Sequence, residues 1–214
     1  DYIIKCSQEV DLNKFAGMDC YVGVDLAATS DLTAVAYLVV LDGTYYFKTH
    51  YYLPESALKD KADKELYKYW KQQGYLTVTS GNVTDYDYIT TDMLRYADVV
   101  NIQSVGYDKY NATQWAIDST EQGLPLEEYP QTLGNFSMPT RELERLILSG
   151  KAVIDNNEIN RYCFRNVTLK SDYNGNVKPN KAVDKKKIDG TIAMIQALGM
   201  YLRTPHYTNE ILTI

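Results

Sequence analysis

The 214 residues are 45% hydrophobic and 23% charged, with a formal net charge of −6, the make-up of a globular protein long enough to bury one good core. No run approaches the roughly 18 apolar residues of a membrane-spanning helix, and no basic segment followed by an apolar block marks a secretion signal. Three cysteines far apart (Cys6, Cys20, Cys163) and two histidines outside metal-ligand spacing (His50, His206) argue against a disulfide framework, a zinc knuckle and Ser-His or Cys-His catalysis.

Along the chain, Val22, Val24 and Leu26 alternate with Tyr21, Gly23, Asp25 and Ala27, which predicts a strand over Cys20–Ala28. Thr29-Ser30-Asp31 reads as a tight turn and Leu32–Leu41 as a second strand. Asp42-Gly43 is a hairpin signal leading into a third, Thr44–Tyr52. After Pro54-Glu55, the spacing of Ala62, Leu66, Tyr69 and Trp70 predicts a helix over Lys59–Gln73 that stops at Gly74. Leu76–Thr79 reads as extended, Thr84 or Asp85 as the cap of a helix to about Val100, and Ile102–Tyr107 as a buried strand ending at Asp108. Helices follow over Ala112–Gln122 and Arg141–Leu148, the latter with Pro139 in its first turn. Asn174-Gly175 is a second hairpin tip. The last helix, Lys187–Arg203, carries Ile188, Ile192, Ile195, Leu198 and Leu202 on one stripe. Most of the 20 tyrosines, among them Tyr45, Tyr46, Tyr51, Tyr67 and Tyr69, are expected in packed positions. The whole reads as one α/β domain with a mixed sheet.

Charge is unevenly distributed. Residues 1–150 hold 12 Lys/Arg against 22 Asp/Glu, and residues 151–214 hold 10 against 6. Lys178, Lys181, Lys185, Lys186 and Lys187 crowd into ten positions; such a run is either a solvated loop or a contact for a phosphate backbone.

Asp25 stands inside an apolar strand, where Asp has poor propensity. Asp108 ends another strand, and Asp189 falls in the first turn of the last helix. Each has an ordinary reading: a turn residue, an N-cap for the helix at Ala112, a carboxylate favoured by the helix dipole. Together, carboxylates on two strands and a helix start converge only if those elements are neighbours. A meander, then β-α-β, then a C-terminal helix is the chain order of the ribonuclease H-like fold, where they do. Clustered carboxylates repel one another and call for hard divalent cations such as Mg²⁺ or Mn²⁺.

Three motifs carry a resemblance. Tyr21-Val-Gly-Val-Asp25-Leu-Ala-Ala-Thr-Ser-Asp31-Leu-Thr-Ala, Val105-Gly-Tyr-Asp108-Lys-Tyr-Asn-Ala-Thr, and Gly175-Asn-Val-Lys-Pro-Asn-Lys181 with Lys187-Ile-Asp189-Gly-Thr-Ile-Ala are similar to the successive motifs of the nuclease domain of tailed-phage terminase large subunits. Weaker similarity at Tyr52–Glu55, Gly74–Leu76, Asp85–Ile89 and Gln131–Leu146 extends it from about Gly17 to Leu202. The resemblance implies a ribonuclease H-like fold: an antiparallel three-strand meander plus parallel strands, flanked by helices. It also implies a metal-dependent endonuclease cutting concatemeric double-stranded phage DNA during packaging.

By the same resemblance Asp25, Asp108 and Asp189 are the catalytic carboxylates and ligands of two divalent ions, Mg²⁺ or Mn²⁺. Asp184 is an extra or substitute metal ligand, and Asp31 a further candidate. Lys178, Lys181, Lys185, Lys186 and Lys187 are expected to guide the DNA backbone without reading its sequence. The implied partners are the terminase ATPase domain, the small terminase subunit and the capsid portal, in the cytoplasm of a bacterial host. No G-x-x-x-x-G-K-[ST] phosphate loop occurs and the chain opens without Met. The expectation is therefore a C-terminal nuclease domain over 1–214, with 1–18 a linker remnant from an absent ATPase domain. Three other readings are open: a Holliday-junction-resolvase-like nuclease of the same fold, a non-catalytic portal-docking module, and an actin-like ATP-binding module, whose phosphate hairpin Gly23–Thr29 resembles.

Overall fold

The computed structural model describes residues 2–27, 29, 31–59, 63–110, 112–183 and 186–205. In chain order it forms α1 (Tyr2–Cys6), β1 (Ser7–Gln8), a 3₁₀ turn at Leu12–Phe15, β2 (Asp19–Asp25), β3 (Thr33–Leu41), β4 (Thr44–Pro54) and a second 3₁₀ turn at Glu55–Lys59. Then come α2 (Lys64–Gln72), β5 (Thr77–Thr79), α3 (Tyr86–Ala97), β6 (Asn101–Tyr107), α4 (Thr113–Glu121), β7 (Leu126–Glu128) and α5 (Leu133–Leu148). The chain continues through β8 (Ala152–Asp155), α6 (Glu158–Arg165), β9 (Val167–Ser171), β10 (Val177–Lys181) and α7 (Asp189–Arg203).

The expected meander is present. β2, β3 and β4 pair antiparallel, and Asp42 and Gly43 both adopt positive φ (48° and 73°) to turn β3 into β4. β6 and β7 extend the sheet in parallel beyond β2; β8 and β1 extend it in parallel beyond β4. The order is β1-β8-β4-β3-β2-β6-β7, with β5 also on β4. This is the expected mixed sheet flanked by helices.

The two faces of the sheet bury different sets of residues. Tyr21, Ala34, Ala36, Leu38, Phe47, Tyr51 and Leu53 pack with residues of α5, α6 and α7. Cys20, Val22, Val24, Val35, Tyr37 and Val39 pack with residues of α3 and α4. α7 is not the one-striped helix its sequence suggested: every residue from Asp189 to Met200 is buried, because sheet, α5 and α6 surround it. Helices enclosed in this way are largely apolar on every side, and α7 buries only a few polar groups, among them Thr191 and Gln196.

Several expectations change. Within the stretch 1–18 expected as a linker remnant, the described residues pack into the domain: β1 pairs with β8, and Cys6, Val10, Leu12 and Phe15 are buried. α5 begins at Leu133, capped by the Thr132 hydroxyl, so Pro139 lies in its interior rather than its first turn. A proline there removes one helical N–H, and the carbonyl it leaves free, that of Asn135, accepts the Tyr129 hydroxyl at 2.7 Å instead. α2 is shorter than expected; Ala62 lies outside the described residues. Of the tyrosines expected in the core, Tyr51 and Tyr67 are buried, whereas Tyr69 is 43% exposed. The three cysteines are free and buried.

Candidate active site

β2 and β6 run parallel with Gly23 beside Gly106 and Val24 beside Tyr107. The next residues along both strands are Asp25 and Asp108. Because side chains alternate, the two carboxylates lie on the same face as the two glycines, the face that α7 covers. The glycines let α7 lie close. A Cβ on Gly23 would stand 2.1 Å from the Ala193 carbonyl oxygen and 2.4 Å from the Ala197 nitrogen, and one on Gly106 would stand 2.7 Å from Met200.

α7 runs antiparallel to β2. The rings of Tyr21 and Tyr201 meet edge-on at 5.3 Å, Gly23 faces Ala193 and Ala197, and the N-terminus of the helix with Asp189 arrives at Asp25. Gly190 makes that arrival possible, since any Cβ there would strike the Tyr51 hydroxyl at 1.8 Å. That hydroxyl is held in turn by Asn160 Oδ1 at 2.5 Å.

The electrostatics record the convergence. Burial pushes the Asp25 carboxyl well above its ordinary range, and the neighbouring charges of Asp189 and Asp31 push it the same way against the pull of Gln131 and Lys181. Asp189 is raised to about 6 by burial and then by Asp31, against its own backbone amide, Lys181 and Lys187. The Oδ2 atom of Asp189 is buried with no hydrogen-bond partner. A buried carboxylate oxygen in that state calls for a proton, a cation or a water.

Asp108 does not cap α4, whose N-cap is Ala112 without a side-chain bond. Its Oδ1 accepts the Tyr110 N–H at 3.0 Å and its Oδ2 the Gln131 N–H at 2.8 Å. The Gln131 side chain, at the same time, donates from Nε2 to Asp25 Oδ1 at 3.0 Å. Gln131 thus ties Asp25 to Asp108. Its chemistry gave no signal beforehand, although it opens the Gln131–Leu146 stretch of weaker similarity: it is an uncharged residue between the end of β7 and the cap of α5. Among the described residues no three His, Cys, Asp or Glu side chains are gathered closely enough to hold an ion as they stand.

Among the described residues the lysines do not form one open patch. Lys187 pairs with Asp31, which also has Lys181 at 3.9 Å. Lys178 donates to the Gln131 carbonyl and sits 5.8 Å from the Phe136 ring centroid, and Lys186 lies 5.7 Å from that of Tyr162. Three of the five therefore turn toward the carboxylates, bringing the β9–β10 ribbon and the loop after it to the site. Asp184 and Lys185 lie outside the described residues.

Residues 5–204 match the family described as terminase large subunit, endonuclease domain. The chain belongs to this family. The domain is 32% identical over 210 residues to Protein YmfN of Escherichia coli K12, covering 90% of this chain and 45% of that protein. It is 29% identical to the terminase large subunit of Enterobacteria phage HK97, covering 84% of this chain and 36% of that one. The crystal structure of the HK97 large terminase superposes with a TM-score of 0.82 at 26% identity, over 92% of this chain and 42% of that chain. The large terminase nuclease of thermophilic phage G20c, solved with bound magnesium, shares the ribonuclease H-like fold at a TM-score of 0.57 and 12% identity, over 85% and 80%. The domain thus spans less than half the length of YmfN and of the HK97 large subunit. No helix among the described residues is long and apolar enough to cross a membrane.

Proposed function

We propose that the domain is a divalent-cation-dependent endodeoxyribonuclease that cuts concatemeric double-stranded phage DNA using two cations, Mg²⁺ or Mn²⁺. What supports this reading is the nearness of Asp25 to Asp189 and the Gln131 link from Asp25 to Asp108, with the Asp189 Oδ2 buried and unpartnered. The donors are all carboxylate oxygens, which suits hard cations. The magnesium of the G20c nuclease is in keeping with that choice.

In this reading Asp25, Asp108 and Asp189 would hold the cations. When bound, the cations lower the pKa of an attacking water and stabilise the departing 3′ oxygen. The protein's own part is positional. Sheet register sets Asp25 against Asp108, and the glycine-bedded α7 delivers Asp189. Lys181 and Lys187 offset the surplus negative charge through Asp31, and together with Lys178 and Lys186 they offer the phosphate backbone a sequence-neutral contact. The proposed partners are double-stranded phage DNA, an ATPase domain, the small terminase subunit and the portal, in the cytoplasm of the bacterial host.

The test is supercoiled plasmid cleavage with Mn²⁺, Mg²⁺ or EDTA, comparing wild type with Asp25→Asn. Nicking and linearisation that require the cation and fall at least about a hundredfold in the variant are expected, since one ligand charge is lost. Intact plasmid under every condition, with no heat of Mn²⁺ binding, would overturn the reading.

A further inference from the structure

Gln131 occupies an unusual position for an uncharged side chain. Its backbone N–H is committed to Asp108 Oδ2 at 2.8 Å and its backbone carbonyl accepts from Lys178. The segment on either side is equally fixed. Tyr129 N–H bonds to the Tyr107 carbonyl, Thr132 N–H to that of Pro130, and the Asn135 side chain to the same Pro130 oxygen at 2.9 Å. With its backbone pinned, the carboxamide has one thing left to do: it points its NH₂ at Asp25 Oδ1, 3.0 Å away.

An NH₂ group presents partial positive charge and no lone pair. Beside a carboxylate it takes the place in which a cation would sit, and it repels a cation that arrives there. We propose that the Gln131 carboxamide is a stand-in for the cation at Asp25: it holds that carboxylate in the metal-free domain and must swing away before a divalent ion binds. The backbone amide keeps Asp108 aligned throughout, so Gln131 is a positioning residue with a fixed half and a releasable half. This inference rests on the two-cation reading above.

The experiment is calorimetric titration of the whole chain with Mn²⁺, alongside thermal melts with and without the ion. The variants are Gln131→Ala and Gln131→Asn, the second too short to reach Asp25 but still polar. Both keep the backbone N–H to Asp108. Each is expected to melt lower than wild type without metal, yet to bind Mn²⁺ about tenfold more tightly, because a hydrogen bond to a charged group no longer has to be broken. A residue that only supported the loop would lower metal-free stability and weaken the ion together, and that result, or an unchanged Kd in both variants, overturns the proposal. If wild type and both variants all fail to bind Mn²⁺, the two-cation reading itself falls, and this inference with it.

Discussion

Asp189 is a carboxylate in conflict with its surroundings. The N-terminus of α7 favours its charge, but burial and the nearby Asp31 raise it from an ordinary 3.8 to about 6. The folded domain therefore keeps a proton there over a range in which the unfolded chain has lost it. Stability is unaffected by this group below about pH 4, declines as pH rises from about 4 to about 6, and stays at the lower level above. Asp189→Asn carries no charge to bury. In EDTA its melting temperature relative to wild type is expected to climb between pH 4 and pH 7 and then level off, superimposed on a constant offset from the exchange of oxygen for NH₂. A difference flat across pH 4–8 in calorimetric melts would show that Asp189 is ionised at no cost. Under the proposed two-cation reading, the cost of burying Asp25 and Asp189 would be relieved when opposite charge arrives.

Among the elements, α5 shows how a local rule is broken and repaired. Pro139 withholds the N–H that the Asn135 carbonyl would accept, and the Tyr129 hydroxyl, from the segment after β7, supplies the replacement at 2.7 Å. The ring of Tyr129 is buried against Gly199 of α7 and lies 5.8 Å from the Phe136 ring. One tyrosine thereby fastens α5 to α7 and fixes the Pro130-Gln131 turn that reaches the site. Tyr129→Phe keeps the packing and strands the carbonyl, with an expected loss of about 1–2 kcal/mol in urea unfolding. Pro139→Ala returns the missing N–H, so the phenylalanine substitution should cost measurably less in that background. Equal costs in both backgrounds would mean the hydroxyl is not serving the helix.

The molecule as a whole depends on how closely α7 approaches the sheet. At Gly23 the neighbours of an added methyl group are backbone atoms, the Ala193 oxygen and the Ala197 nitrogen, which cannot rotate aside. Gly23→Ala must lift the helix, and with it Asp189, away from Asp25. It is expected to cost about 3 kcal/mol and to weaken Mn²⁺ binding although no ligand has changed. Gly134, in the first turn of α5 with no atom within 4 Å of an added Cβ, is the control. Gly134→Ala should be neutral or stabilising by up to about 1 kcal/mol. Unfolding curves in which both alanines behave alike would contradict the close-packing account.

Much of this protein is legible in its residues because the relevant signals are local. Alternation from Tyr21 to Asp25, the Asp42-Gly43 and Asn174-Gly175 turns and the helix cap expected at Thr84 or Asp85, which is Asp85, each act within a few positions, and each appears where those positions place it. Several of the elements that escaped are those whose formation is decided elsewhere, although α1 and the Asn157-capped α6 escaped too. β1, β7 and β8 have 2, 3 and 4 residues, too few for a period to show, and exist because a sheet edge is waiting for them. Pro139 argued for a helix start, and only a hydroxyl ten residues upstream allows the helix to run through it. The three aspartates could be singled out as residues in the wrong company, and their motif context named the family. That Gln131 links two of them, that Lys178, Lys181 and Lys187 turn inward, and that Asp189 is left with an unpartnered oxygen are matters of tertiary structure alone. Hydrogen-bond partners 106 and 23 residues apart in the chain become neighbours only when register, helix approach and loop anchoring are satisfied together.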